Sequence, residues 1–247
     1  MKVQHIAVAN NKGGAAKTTT VIHVAQAFAE KGKRVIVIDG DKNGTCRSWA
    51  RRRGNAEPFP VLSIREVMKY ESPKDIVLYD TEGGISSDEI KELTGVCDYI
   101  IIPCKPDVYN MEATEKMARE FINQGINFRV LISDAMWHGN YMRATQLKNY
   151  FIEQGIPCFD QMIPHSAKVT DAGDQGKTVS NISGARYISD RFVEVVEQIQ
   201  KDLSGTQSET KPAKPSTFVI DDDDIDLLNE NITTLGGKRH GSMEVRA

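Results

Sequence analysis

Short apolar runs recur along the chain at residues 3–9, 35–38, 76–79, 99–102 and 128–132, with a weaker one around 159–163. Each is rich in Val and Ile and apolar at consecutive positions, the pattern of strands buried on both faces. The intervening stretches carry helical spacing at 18–31, 86–94, 112–124 and 141–154. Gly32, Gly125 and Gly155 close three of these, and Ser86-x-x-Glu89 opens another as a capping box. A last helix over 185–203 has its apolar stripe at Ile188, Phe192, Val195, Val196 and Ile199. Strands alternating with helices imply right-handed crossovers. The expected fold is α/β, a doubly wound and mostly parallel sheet with helices on both faces.

The helical pattern ends near residue 203. Residues 204–217 are Ser, Thr, Lys and Pro with little to bury, and read as a flexible linker. Residues 218–247 form an acidic tail that opens with FVIDDDDIDLLNENI. It reads either as a solvated segment or as a short motif whose Phe218, Ile220, Ile225, Leu227 and Leu228 dock on a partner or on the body. After residue 203 there are eight acidic residues against five Lys or Arg, which accounts for the whole net charge of −3. The body is therefore neutral, and any nucleic-acid contact would have to come from local clusters of basic residues.

A composition of 40% hydrophobic and 26% charged residues is that of a globular chain, and no apolar run approaches the roughly 18 residues of a membrane span. The absence of a signal-peptide pattern makes a cytoplasmic location the expectation. Cys46, Cys97, Cys104 and Cys158 are scattered without metal-ligand spacing, as buried free thiols would be.

The first apolar run leads into NNKGGAAKTTT, residues 10–20. A strand, a glycine-containing turn, a lysine, hydroxyls and a helix form the context of a phosphate-binding loop. Backbone N–H groups of Gly13, Gly14, Ala15, Ala16 and Lys17 can converge on phosphate at the helix N-terminus. Lys17 would lie against the β- and γ-phosphates, and Thr18 would take a position on Mg²⁺. The same pattern also fits an ordinary strand-turn-helix connection, so its companions decide. The run 35–38 leads into Asp39-Gly40-Asp41 and the run 76–79 into Asp80-Thr81. In a parallel sheet these strand ends would face one crevice with Lys17, and Asp80 stands where a phosphate-loop NTPase holds Mg²⁺ through water.

Taken together, KGGAAKTT, DGDKN, IVLYDTEGG, IIIPCKPD and DAGDQGKTVSN resemble the corresponding segments of the ParA/MinD ATPases, whose deviant phosphate loop carries an extra lysine at the position of Lys12. The likeness covers about residues 1–203. It implies a phosphate-loop NTPase fold, ATP and Mg²⁺ as cofactors, and an ATP-bound homodimer in which Lys12 reaches the partner's phosphates. It also implies that Thr19 contacts the α-phosphate side, Asp41 positions the attacking water, Asp39 supports the metal without touching it, and Asp80 holds the metal through water. Lys12, Lys17 and Asp41 would then carry slow hydrolysis.

Three departures from that pattern stand out. Ala16 replaces a glycine, DGDKN lacks the proline and glutamine after the second aspartate, and DTEGG lacks the usual prolines. They bear on hydrolysis rate and on movement of the loops.

By the resemblance, the function is a partition or positioning ATPase that binds DNA non-specifically on the nucleoid and works with a ParB-like adaptor. The acidic tail would be repelled by anionic lipid, so no membrane partner is expected. Candidate DNA contacts are Arg47, Arg51, Arg52, Arg53, Arg143, Lys148, Lys168, Lys177, Arg186, Arg191 and Lys201. Two alternatives stay open: a scaffold of the same fold that turns over little ATP and works through its tail, and another phosphate-loop enzyme such as a dethiobiotin synthetase or a reductase subunit.

Overall fold

Strands that are apolar at every position need cover on both faces, and the chain supplies it. The structure, a computed structural model, describes residues 2–54, 58–84, 87–135 and 141–205. Six strands form one sheet: β1 Gln4–Val8, β2 Val35–Asp39, β3 Val61–Ser63, β4 Ile76–Asp80, β5 Tyr99–Cys104 and β6 Phe128–Ile132. Their order is β3-β2-β4-β1-β5-β6 and every pairing is parallel. The helices are α1 Lys17–Glu30, α2 Thr45–Arg53, α3 Ile64–Val67, α4 Ser87–Val96, α5 Val108–Asn123, α6 Tyr141–Glu153, α7 Ala167–Asp174 and α8 Arg186–Leu203.

Alternate residues of each strand point to opposite faces. Ile6, Val8, Val37, Leu78 and Ile101 pack with Phe28 of α1, Trp49 of α2, Ala172 of α7 and the apolar stripe of α8. Ala7, Ile100, Ile102 and Val130 pack with Ile90 of α4, Phe121 of α5 and Phe151 of α6. Full burial of side chains such as Phe28, Phe121 and Phe151 contributes roughly 2–3 kcal/mol each. The far end of α8 is tied to the sheet through Asp202, which accepts hydrogen bonds from the Tyr99 hydroxyl (2.7 Å) and from both Nε and Nη2 of Arg129 (2.6 and 2.9 Å). Among the described residues no helix is long and apolar enough to cross a membrane.

Several elements depart from the sequence reading. The run around 159–163 is not a strand. It meets β6 and the residues after it through the isolated bridges Val130 to Cys158 and Ala135 to Pro164, with the Phe159 and Ile163 N–H groups donating to the Val130 and Ile132 carbonyls (both 2.9 Å), and these contacts do not build a continuous ladder. Helix α5 starts at Val108 rather than 112, since the Asp107 carboxylate accepts from the Asn110 N–H at 2.9 Å and caps it. Strand β3 and helices α2, α3 and α7 were not anticipated. The proposed cap Ser86, most of the linker and the whole tail from 218 lie outside the described residues.

The register sets up the functional edge. Val8 lies opposite Asp80, and Asp80 opposite Asp39, so the carboxyl ends of β1, β4 and β2 form one row. Helix α1 is fixed beneath that row by His23. Its Nδ1–H donates to the Thr19 carbonyl (2.7 Å), its Nε2 accepts from the Val179 N–H (3.2 Å), and its ring stacks on Phe192. Burial lowers the His23 pKa to about 4, against the opposing pull of the Thr19 carbonyl. The ring is neutral in the fold, whereas in the unfolded chain it titrates near 6.5. Between those two values the unfolded state binds the extra proton, so stability falls as pH drops from about 6.5 toward 4. Going from pH 7 to pH 5, His23 is expected to cost roughly 1–2 kcal/mol, and His23→Gln should flatten that part of the slope in urea titrations. Equal slopes for the two proteins would show that the ring is not held neutral.

Candidate functional site

The loop between β1 and α1 is held at its base by Asn10. The buried Asn10 amide donates to the Pro103 carbonyl (2.8 Å) and to Thr114 Oγ1 (3.0 Å), while its oxygen accepts from the Lys12 N–H (2.8 Å). Beyond it, Gly14 (φ 76°) and Ala16 (φ 68°) both adopt left-handed backbone, and Ala15 between them is fully buried. Left-handed turns of this kind direct backbone N–H groups to one side as a cradle for anions. The first turn of α1 has no side-chain cap and no acidic residue, so its N–H groups and dipole remain available to an anion.

Lys17 folds back over this loop. Its Nζ donates to the Lys12 carbonyl at 3.2 Å, and its side chain is buried. Burial lowers its pKa, while the Asp80 and Asp41 charges oppose the drop. The post-β4 loop packs against the phosphate loop at Gly83, where a Cβ would stand 3.4 Å from Lys17 Nζ and 3.5 Å from Gly13 Cα, in van der Waals contact with both.

Thr18 Oγ1 donates to Asp80 Oδ2 at 2.8 Å. The other oxygen, Oδ1, is buried with no hydrogen-bond partner. Burial first, and the charges of Asp39 and Asp41 after it, push the Asp80 pKa up to about 7 although the Thr18 hydrogen bond pulls it down. A buried carboxylate with one orphaned oxygen, a hydroxyl on the other and two more carboxylates nearby lacks positive charge. Among the described residues no group of three or more His, Cys, Asp or Glu could hold a metal by itself. That donor set fits Mg²⁺, which takes one or two protein oxygens and completes its shell with water and phosphate.

The remaining expected residues fall in different places. Asp39, whose side chain is fully buried, accepts from the Arg47 N–H (2.9 Å), from Arg47 Nε (3.3 Å) and from the Asp41 N–H (3.2 Å). It therefore anchors the N-terminus of α2 and acts on Asp80 through its charge. Asp41 lines the cleft beside Lys17, its Oδ1 accepting from both the N–H and the side-chain amide of Asn43. Thr19 lines the cleft as well. Lys12 lies outside it, exposed, with its ammonium 5.4 Å from the ring centroid of Tyr109. The α2 arginines diverge: Arg47 faces the site, Arg52 donates to the Gly173 carbonyl, and Arg53 stacks on Trp49 and Phe59.

The cleft holds about 700 Å³ and runs along Gly13–Thr19, Asp41 and the loop Glu82–Gly84. Ala16, Thr19 and Lys105 also line a second cavity of about 300 Å³, walled by Ser133, Asp134, Pro164 and His165. At the junction Lys105 pairs with Asp134 (3.0 Å), which in turn meets His165 Nδ1 at 2.6 Å. Both partners hold the Asp134 carboxylate below its ordinary pKa against the effect of burial, and its backbone is left-handed at φ 64°. Sequence reasoning missed Asn10, Lys105, Asp134 and His165. Only the polar breaks at the ends of the apolar runs 99–102 and 128–132 could have signalled the middle two.

The comparisons agree with this geometry. The sequence profile of the CobQ/CobB/MinD/ParA nucleotide binding domain matches residues 6–179. Maintenance of carboxysome distribution protein A of Gloeobacter kilaueensis is 28% identical over 211 residues, covering 80% of this chain and 94% of that protein. The chromosome partitioning protein ParA of Caulobacter vibrioides is 51% identical over 227 aligned residues, covering 70% of this chain and 85% of that one. In three dimensions, the ATP complex of a Cyanothece McdA variant superposes with a TM-score of 0.64 at 14% identity, covering 85% of this chain and 99% of its own, which supports the fold.

Left-handed backbone costs an alanine about 1 kcal/mol or more relative to its relaxed state. Ala16→Gly is therefore expected to raise the unfolding free energy by about 0.5–1 kcal/mol, the gain in strain relief exceeding the extra freedom of the unfolded glycine. Chemical denaturation reads this directly, and an unchanged or lower stability would show that Ala16 carries no strain.

Proposed function

The chain belongs to the CobQ/CobB/MinD/ParA nucleotide-binding family, and from that premise we propose that it is a Mg²⁺-dependent ATPase of the partition and positioning type. The observation that carries the reading is the trio of buried Lys17 and Asp80 with half-buried Thr18, Asp80 Oδ1 unpartnered, at the mouth of a loop that contains two left-handed residues. The second cavity, which shares the lining residues Ala16, Thr19 and Lys105 with the phosphate cleft, offers room for a base and ribose.

In this reading Lys17 neutralises the β- and γ-phosphates, and the loop N–H groups hold their oxygens. Thr18 and Asp80 would hold Mg²⁺. The ion, when bound, supplies charge that offsets the negative charge developing on the phosphates. Asp41 lies at the cleft wall where it can orient a water for in-line attack, and Asp39 keeps Asp41 in place through the hydrogen bond to its N–H. Lys12, resting on Tyr109 outside its own cleft, is free to reach across an ATP-bound dimer to the partner's phosphates. The dimer would bind nucleoid DNA non-specifically and release it after hydrolysis stimulated by an adaptor that marks the cargo. Partition and distribution proteins among the relatives support that assignment.

Ala16 favours a second reading, in which the chain binds ATP but turns it over little and works as a scaffold. Its Cβ sits directly before Lys17 on left-handed backbone, the conformation glycine adopts without strain.

ATP turnover and DNA co-sedimentation measured together separate these outcomes. The wild-type chain is expected to pellet with DNA in a slowly hydrolysed ATP analogue and not in ADP. Lys17→Ala should weaken ATP binding by about 10- to 100-fold and abolish the nucleotide dependence. DNA binding that is the same in wild type and variant, with and without nucleotide, would contradict the ATPase reading. ATP-dependent dimerisation with negligible turnover would favour the scaffold.

A further inference from the structure

The two loops that follow β2 and β4 are joined at two levels, and the second of them is also laid on the phosphate loop. At the strand tips the Gly40 N–H donates to the Asp80 carbonyl (2.9 Å), and above it the Gly84 N–H donates to the Asn11 carbonyl (3.0 Å), laying the post-β4 loop on the phosphate loop. At the rim, Lys42 Nζ meets Glu82 Oε2 at 3.1 Å. Lys42 follows Asp41 directly, and Glu82 is two residues beyond Asp80. Both fall in the segments DGDKN and DTEGG, where this sequence departs from the proline-bearing pattern. Two departures from one pattern that meet as an ion pair form a single feature.

The pair is asymmetric. Glu82 lines the same cleft as Lys17 and Gly13, with its side chain 37% exposed, whereas Lys42 stands outside the lining with its side chain 83% exposed. A carboxylate facing a triphosphate costs binding energy by like-charge repulsion, and an adjacent ammonium removes most of that cost. We propose that Lys42 and Glu82 form a charge latch at the rim of the cleft. Lys42 draws the Glu82 carboxylate outward and neutralises it, so that the phosphate chain of a nucleotide can enter between the two loops. Both are positioning residues for nucleotide capture, and the inference rests on the nucleotide reading above. Because the pair is largely exposed, its effect is limited to about 5-fold in affinity at low salt and shrinks at high salt.

The test is a double-mutant cycle on the full chain, reading MgATP affinity by calorimetry at low ionic strength. Lys42→Ala is expected to weaken binding about 2–5-fold in the wild-type background, because it leaves Glu82 unpaired in the wall. It should weaken binding by less than about twofold when Glu82 is already Gln. Glu82→Gln alone should bind ATP at least as tightly as wild type. An equal cost of Lys42→Ala in both backgrounds, or weaker binding by Glu82→Gln, overturns the latch. Failure of the wild-type chain to bind MgATP overturns the nucleotide reading together with it. Binding that depends on Lys17 but is indifferent to both charges overturns the latch alone.

Discussion

The rest of the site depends on a buried carboxylate that the protein does not itself neutralise. Asp80 is the buried last residue of a central strand, and its carboxylate accepts a hydrogen bond from Thr18 on one oxygen while the other has no partner. Desolvation favours its protonated form, and Asp39 and Asp41 add to that pressure. Lys17 is held inside the same cleft with its own pKa depressed by burial. Two ionisable groups whose pKa values burial shifts in opposite directions, set beside one cleft, are the signature of a functional site. The parallel register makes this arrangement, because it brings Val8, Asp80 and Asp39 into a row and sets the phosphate loop beside them.

From that row the connections spread outward. Asp39 ties the row to α2 through Arg47, and α2 is fastened to the body where Trp49 Nε1 donates to the Lys177 carbonyl (3.1 Å) and Arg52 to the Gly173 carbonyl. The segment around Val179 then returns to α1 through His23. Strain is concentrated at the same place: Ala16 and Asp134 are the non-glycine residues in left-handed backbone among those described, and both border the cavities.

The parts that could be read from sequence were those where local pattern and tertiary role coincide. Five strands were legible because each is apolar at consecutive positions, and Lys17, Thr18 and Asp80 because they occupy fixed offsets from strand ends. Strand β3 was not, since Val-Leu-Ser is three residues long and only half-buried. Helix α2 was hidden because only Cys46 and Trp49 of its nine residues are buried and three arginines fill its last turn. The misread run at 159–163 has strand-like residues and does donate to the Val130 and Ile132 carbonyls, but it meets the sheet only through isolated bridges, not a ladder. Side-chain partners across the fold were beyond sequence as well. Nothing in DGDKNGTCR says that Asp39 turns to Arg47, and nothing in IIIPCKPD says that Lys105 meets Asp134.

The claim that Asp80 and Thr18 await a metal-bound phosphate is tested most directly by calorimetric titration of ATP into the wild-type chain and Asp80→Asn, each with and without Mg²⁺. Wild type is expected to bind ATP at least about tenfold more tightly with Mg²⁺ than without it, and Asp80→Asn to lose most of that difference. ATP binding that is equally tight with and without the ion in the wild-type chain would contradict it.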